Sequence, residues 1–77
     1  MEKFDSIICK VLRISKEQLS EHLTSDDISS WDSLTQFALI ASLESNYHIT
    51  FEMEELFSIV TIGDIRSIFQ RKINKQS

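Results

Sequence analysis

The stretch DSLTQFALIASLESN, residues 32–46, decides the architecture. Asp32 opens it as a natural N-cap, because its carboxylate can accept one of the backbone N–H groups that a helix start leaves without a partner. Leu34, Phe37, Ala38, Leu39, Ile40, Ala41 and Leu43 follow, and on a helical wheel they run nearly all the way round. A helix of that kind is expected at the centre of a small protein, touching several neighbours. Its predicted span is 33–46.

On the C-terminal side, Tyr47, Ile49 and Phe51 alternate over five residues. Alone they would read as a strand, but no second strand exists to pair with, so an extended linker that plugs apolar side chains into the core is expected. Met53, Leu56 and Phe57 fit a short third helix over 52–58. Thr61-Ile62-Gly63-Asp64 resembles a capping box with Asp in place of Glu or Gln. Ile62, Ile65, Ile68 and Phe69 then recur at helical spacing, predicting a fourth helix over 62–72 with Arg71 and Lys72 suited to the negative end of its dipole. Asn74 to Ser77 read as a frayed tail.

On the N-terminal side, residues 15–31 lose the helical period and are rich in Ser, Thr and Asp, which compete with helix by bonding their own backbone. Leu19, Leu23, Ile28 and Trp31 are the apolar anchors of this long loop, spanning 15–32, and Ser15 to Leu19 can close one helical turn. Structureless loops of more than about 12–15 residues are uncommon unless functional. Before it, Phe4, Ile7, Ile8, Val11 and Leu12 mark one face of a first helix over 2–14. The expected fold class is all-α: a four-helix bundle with a long first loop and a short third helix, in one domain spanning 1–77.

Composition agrees. The 77 residues include no proline and one glycine, which speaks against turn-rich β folds. A chain this short hides only about 60% of its unfolded surface, so the core is thin. One cysteine excludes an internal disulfide framework and multi-thiolate zinc sites. No apolar run approaches the ~20 residues of a membrane span, and the N-terminus lacks signal-peptide features. A soluble, cytoplasmic monomer is expected. Lysine and arginine are absent between Glu17 and Ile65, a stretch holding ten acids. Such a middle repels phosphate backbones, excluding nucleic acid as a partner, and attracts a basic patch on another protein.

Enzymatic chemistry finds no footing. Cys9 lies beside the apolar face of the first helix with no histidine near it in sequence, as a core cysteine would. His22 and His48 are isolated and lack metal-ligand spacing. Asp26, Asp27 and Asp32 do not fit a calcium loop, since position 3 would be Ile28 and position 6 Trp31 instead of glycine. What remains is Ser33, the first residue of the middle helix, between Asp32 and Leu34. A side chain there points outward at the positive end of the dipole, a favourable seat for a phosphodiester. Ordinary helix capping accounts for the same residues.

Asp32-Ser33-Leu34 is similar to the D-S-L signature of the acyl carrier protein family, and its surroundings extend the likeness. Leu43-Glu44 followed by Tyr47-His48-Ile49-Thr50-Phe51 resembles the family's A-L-E-x-x-F-G-I-x-I segment. Glu54 and Glu55 stand where acids are frequent, and Val60 to Ile65 resembles the opening of the last helix. The spacing matches without gaps from Asp32 to Ile65; the first helix and loop match in pattern and length. The resemblance implies a non-enzymatic carrier. A phosphopantetheinyl transferase would move 4'-phosphopantetheine from coenzyme A to the Ser33 hydroxyl, flanked by Asp32 and Leu34, and an acyl or aminoacyl group would ride on it as a thioester. Leu34, Phe37, Ala41 and Glu44 match positions on the outward side of the second helix that meet partner enzymes, with Glu54 and Glu55 adding charge.

Two departures matter. Trp31 precedes Asp32 where fatty-acid carriers usually have glycine or another small residue, and Thr35, Ala38 and Ser45 occupy positions where acids are common. Glu44 is the only acid between Ser33 and Tyr47. The W-D-S-L form resembles stand-alone carriers of specialised biosynthetic pathways, some loaded by an AMP-forming ligase, others by an acyltransferase. A housekeeping carrier of fatty-acid synthesis is the alternative, and a non-covalent helical interaction module is the alternative of another class. The core is expected to be lined by Phe4, Ile8, Phe37, Ile40, Phe51, Phe57, Ile59, Ile65 and Phe69, five phenylalanines that leave little room for a long buried acyl chain.

Overall fold

The computed structural model describes residues 2–76 and contains four helices: α1 (Glu2–Leu12), α2 (Ser33–Tyr47), α3 (Met53–Ser58) and α4 (Ile62–Gln76). Among the described residues the only β pairing is an isolated antiparallel bridge between Thr24 and Thr61. The all-α, four-helix class expected from the sequence is the class observed, as are the long first connection and the short third helix.

Each long helix buries one stripe. Phe4, Ile8 and Leu12 form a completely buried i, i+4, i+8 row on α1. Leu39, Ile40 and Leu43 face it from α2, and Ile62, Ile65, Ile68 and Phe69 from α4. Phe69 is the meeting point: its ring centroid lies 4.6 Å from that of Phe4 and 4.7 Å from that of Tyr47, the latter edge-on. Arg66 ties α4 to α1 through Asp5 at 2.7 Å, with its guanidinium 5.0 Å from the Phe4 ring centre.

The helix ends explain how the chain turns with so little glycine. Arg13 and His48 both take left-handed backbone conformations, φ 59° and 56°. In each case the N–H two residues beyond the helix bonds back across the turn, Ile14 to the Cys9 carbonyl at 3.0 Å and Ile49 to the Glu44 carbonyl at 3.3 Å. These are Schellman closures made without glycine. They end α1 at Leu12, short of the predicted residue 14, and carry α2 through Tyr47. At the other end of the chain α4 continues to Gln76, where the helix was expected to stop at 72 and Asn74 to Ser77 to fray. Ile73 is half-buried against the core and extends the stripe by one turn. Ser77 lies outside the described residues.

The loop of residues 13–32 is fastened at both ends. Ile28 and Trp31 are buried in the core, and the Ser30 hydroxyl donates to the Leu12 carbonyl. Ser15 and Gln18 exchange side-chain to backbone hydrogen bonds around a single turn. The loop's other edge lies on the start of α4, where the Ile62 and Gly63 N–H groups donate to the Leu23 and Glu21 carbonyls, both at 3.0 Å. Two N–H groups that a helix start leaves orphaned thus find partners in the loop backbone. Gly63 permits the approach, since a Cβ there would lie 3.1 Å from the Glu21 carbonyl oxygen and 3.3 Å from the Glu21 Cβ. Gly63→Ala is therefore expected to destabilise the protein by about 1 kcal/mol, because displacing a bonded carbonyl outweighs the helix-propensity gain. Urea unfolding would check this; a gain in stability would contradict it.

Two expectations about the core need correction. Phe37 and Phe57 are not in it: they are 66% and 81% exposed. Of the five phenylalanines only Phe4, Phe51 and Phe69 are buried, and Ile59 is half-buried. The apolar circumference of α2 does not mean burial on all sides either, since Leu34, Phe37, Ala38 and Ala41 are exposed. The reason is geometric. α3 is a six-residue helix with no buried residue, too small to cover the second face of α2.

Candidate functional site

The start of α2 is built by its cap. Asp32 is extended, and its Oδ1 accepts the Thr35 N–H at 2.8 Å and the Thr35 hydroxyl at 2.9 Å. The Thr35 backbone bond, followed by the hydroxyl, holds the Asp32 carboxyl below the usual aspartate range. Asp32 therefore acts as a structural cap that fixes where the helix begins. Ser33 is the first helical residue and is exposed. α2 has no acid within its first turn, and the cap carboxylate of Asp32 is engaged with Thr35, so the helix adds no further anion beside Ser33 at the positive end of its dipole.

Ser33 lines a cleft of about 450 Å³ between α2 and α3. Its walls are Trp31, Phe37 and Ile40 on one side and Met53, Leu56 and Phe57 on the other. Trp31 is held by a 3.0 Å hydrogen bond from its indole N–H to the Gln36 Oε1. Three of its lining side chains, Phe37, Met53 and Phe57, are 66%, 63% and 81% exposed, and Leu34, next to Ser33 in the chain, is 80% exposed. Isolated exposed leucines need no explanation, but a cluster beside one polar group marks an interaction site.

The sequence candidates divide accordingly. Asp32, Ser33 and Phe37 line the cleft; Leu34 and Ala41 are exposed on α2 but do not line it; Glu54 is exposed at the start of α3. Glu44 and Glu55, expected to face a partner, are engaged inside the fold. A Glu44 carboxylate oxygen accepts the Phe51 N–H at 2.8 Å, pinning the linker between α2 and α3. Glu55 Oε1 accepts the Glu52 N–H at 2.7 Å and pairs with Lys72 Nζ, also at 2.7 Å. Sequence reasoning missed Met53 and Ile40 as cleft residues and misassigned Phe57. One signal was available: Ser33, Phe37 and Ile40 are spaced i, i+4, i+7 and so share a face. Among the described residues no three His, Cys, Asp or Glu side chains are grouped to hold a metal ion.

Acid bears on this framework through three carboxyls. Lys72, first, holds Glu55 below the usual 4.5, and the Thr61 and Val60 N–H groups hold Asp64 below the usual 3.8, as Thr35 does for Asp32. A depressed folded value means that the unfolded chain binds the proton more readily. The stability these groups supply is thus complete above their usual values and is lost as pH falls through the depressed ones. The urea midpoint should decline on acidification below 4.5, and Asp64→Asn, which cannot titrate there, should show a shallower decline.

Residues 2–67 match the family model described as the phosphopantetheine attachment site. The chain belongs to the acyl carrier protein family. Solved structures agree: the solution NMR structure of a holo acyl carrier protein from Geobacter metallireducens is 29% identical, with a TM-score of 0.86, and the match covers 97% of this chain and 86% of that one. No match is found among curated proteins. As an acyl carrier protein the chain is a carrier and not a catalyst, and its prosthetic group is 4'-phosphopantetheine. The residues fit that group: an exposed hydroxyl at a helix N-terminus can take the phosphodiester, and the apolar cleft beside it can take the arm or what the arm bears. No helix among the described residues is long and apolar enough to cross a membrane.

Proposed function

We propose that this acyl carrier protein holds acyl or aminoacyl groups on a 4'-phosphopantetheine arm esterified to Ser33, and that it serves a specialised biosynthetic pathway. The observation that carries the reading is the exposed Ser33 at the first position of α2, lining a cleft that the exposed Phe37 and Phe57 also line. The bound group supplies a terminal thiol on which cargo is held as a thioester. The chain supplies the nucleophilic hydroxyl, the cap that sets its position, and the surface that partners read. Those partners are a phosphopantetheinyl transferase acting from coenzyme A, a loading ligase or acyltransferase, and downstream enzymes of the pathway. Leu34, Phe37 and Ala41 would meet them, and Glu54 would add charge. The chain would act as one domain over 1–77, as a monomer in the cytoplasm.

The specialised role draws support from α2. Its one carboxylate, Glu44, is spent on the Phe51 N–H, so the helix offers an apolar face where a basic groove would seek acids. Weak electrostatic attraction of that kind lowers association rates with charge-reading enzymes. Incubating the protein with coenzyme A and a broad-specificity transferase, then measuring intact mass and mapping the modified peptide, tests the attachment. One arm on Ser33 is expected; an unmodified chain, or an arm elsewhere, overturns it. Charging of the loaded protein by a fatty-acid-synthase malonyltransferase as fast as that enzyme's own carrier would overturn the specialised role.

A further inference from the structure

Three side chains of α3, namely Met53, Leu56 and Phe57, make one whole wall of the cleft, yet α3 buries none of its residues. Met53 and Phe57 are mostly exposed, and only Leu56 is packed partly against the core. A six-residue helix with so little burial is far below the length at which helices stand alone. Leu56 alone gives this wall little packing, so a further contact is needed to hold it.

The fixing contact is polar and comes from the far side. Lys72, on α4, reaches Glu55 at 2.7 Å, with both side chains mostly covered, 17% and 25% exposed. The Lys72 ammonium also sits 5.6 Å from the centre of the buried Phe51 ring, just ahead of α3. Glu55 simultaneously closes the capping box that starts α3. One carboxylate thus joins the first turn of α3 to α4.

We propose that Glu55 and Lys72 are positioning residues that hold α3 as the outer wall of the cleft beside Ser33. A surface ion pair between long flexible side chains contributes little. This one is partly covered, charge-assisted and shared with a backbone N–H, the conditions under which such bonds are strongest. Docking predicts different behaviour. A Glu55 that served partners would be freed, not idled, by removing Lys72.

The meaning of the wall rests on Ser33 as the seat of the arm, but its position can be measured without the arm. Trp31 is the single tryptophan of the chain and lines the opposite wall, so it reports opening by quenching with acrylamide. Hydrogen exchange of the whole chain reports α3 directly. Both Glu55→Gln and Lys72→Met are expected to speed exchange across Met53–Ser58 roughly tenfold, the change fitting one charge-assisted bond. Both should raise Trp31 quenching while the slow amides of α1 keep their rates, and Lys72→Arg should restore wild-type behaviour in each readout. Unchanged α3 exchange in either variant overturns the proposal. So does an effect confined to Glu55→Gln, which would assign it to the capping box, or equal acceleration of all amides, which would make the pair a general stabiliser. Failure of the arm to attach to Ser33 would leave these exchange results standing, so the two readings fall separately.

Discussion

Ser33→Ala is expected to accept no phosphopantetheine at all while folding as well as the parent. The loss is complete because the ester needs an oxygen nucleophile and alanine has none. The fold should survive because Ser33 is exposed at the first helical position, while the capping that starts α2 comes from Asp32. Surface changes away from buried or capping groups usually stay within about 0.5 kcal/mol. Intact mass after treatment with coenzyme A and transferase, read beside a urea melt, checks both halves. Residual modification of the variant would move the attachment point elsewhere. An unmodified variant that had also lost its fold would need Ser33→Cys, which keeps the side-chain volume. A companion, Asp32→Ala, sharpens the contrast. It removes the cap bonds to Thr35 and should lower the urea midpoint, while leaving the hydroxyl in place and modification slowed instead of abolished.

Much of this was legible in the residues, for identifiable reasons. The four helices follow from apolar spacing, and Phe4, Ile8 and Leu12 or Ile65, Ile68 and Phe69 are read correctly because a buried stripe leaves a period. Ser33 stood out because an acid and a helix start frame it. The terminations of α1 and α2 were misplaced by one or two residues because Arg13 and His48 adopt left-handed backbone without the glycine that usually announces it. Glu44 and Glu55 were read as docking groups because a carboxylate looks the same in sequence whether it faces a partner or a backbone N–H. Their inward bonds, to Phe51 and to Lys72, depend on tertiary geometry that no local pattern encodes. Phe37 and Phe57 were placed in the core because hydrophobicity signals burial only statistically. Here they are exposed and line the candidate cleft beside Ser33 instead, the kind of place where sequence rules are expected to fail.

That failure can be tested by truncating phenylalanines that the sequence alone does not distinguish. Phe69→Ala is expected to bring the protein to the edge of unfolding. Phe69 is 3% exposed and packs its ring against both Phe4 and Tyr47, so its removal forfeits transfer energy, leaves a cavity and breaks two aromatic contacts. Truncations of this kind cost about 3–5 kcal/mol in total, and the two lost aromatic pairs place Phe69→Ala towards the upper end of that range. A chain of this length holds a total of only about 4–12 kcal/mol, so the deletion consumes most of its stability. Phe57→Ala removes the same atoms from a ring that is 81% exposed and should cost no more than about 0.5 kcal/mol. Thermal and urea unfolding followed by circular dichroism would separate the two. If Phe69→Ala does not fold, Phe69→Leu should still show a loss of about 1–2 kcal/mol. Comparable losses for Phe57→Ala and Phe69→Ala would mean that α3 is packed into the core after all, and that the cleft beside Ser33 is closed in solution.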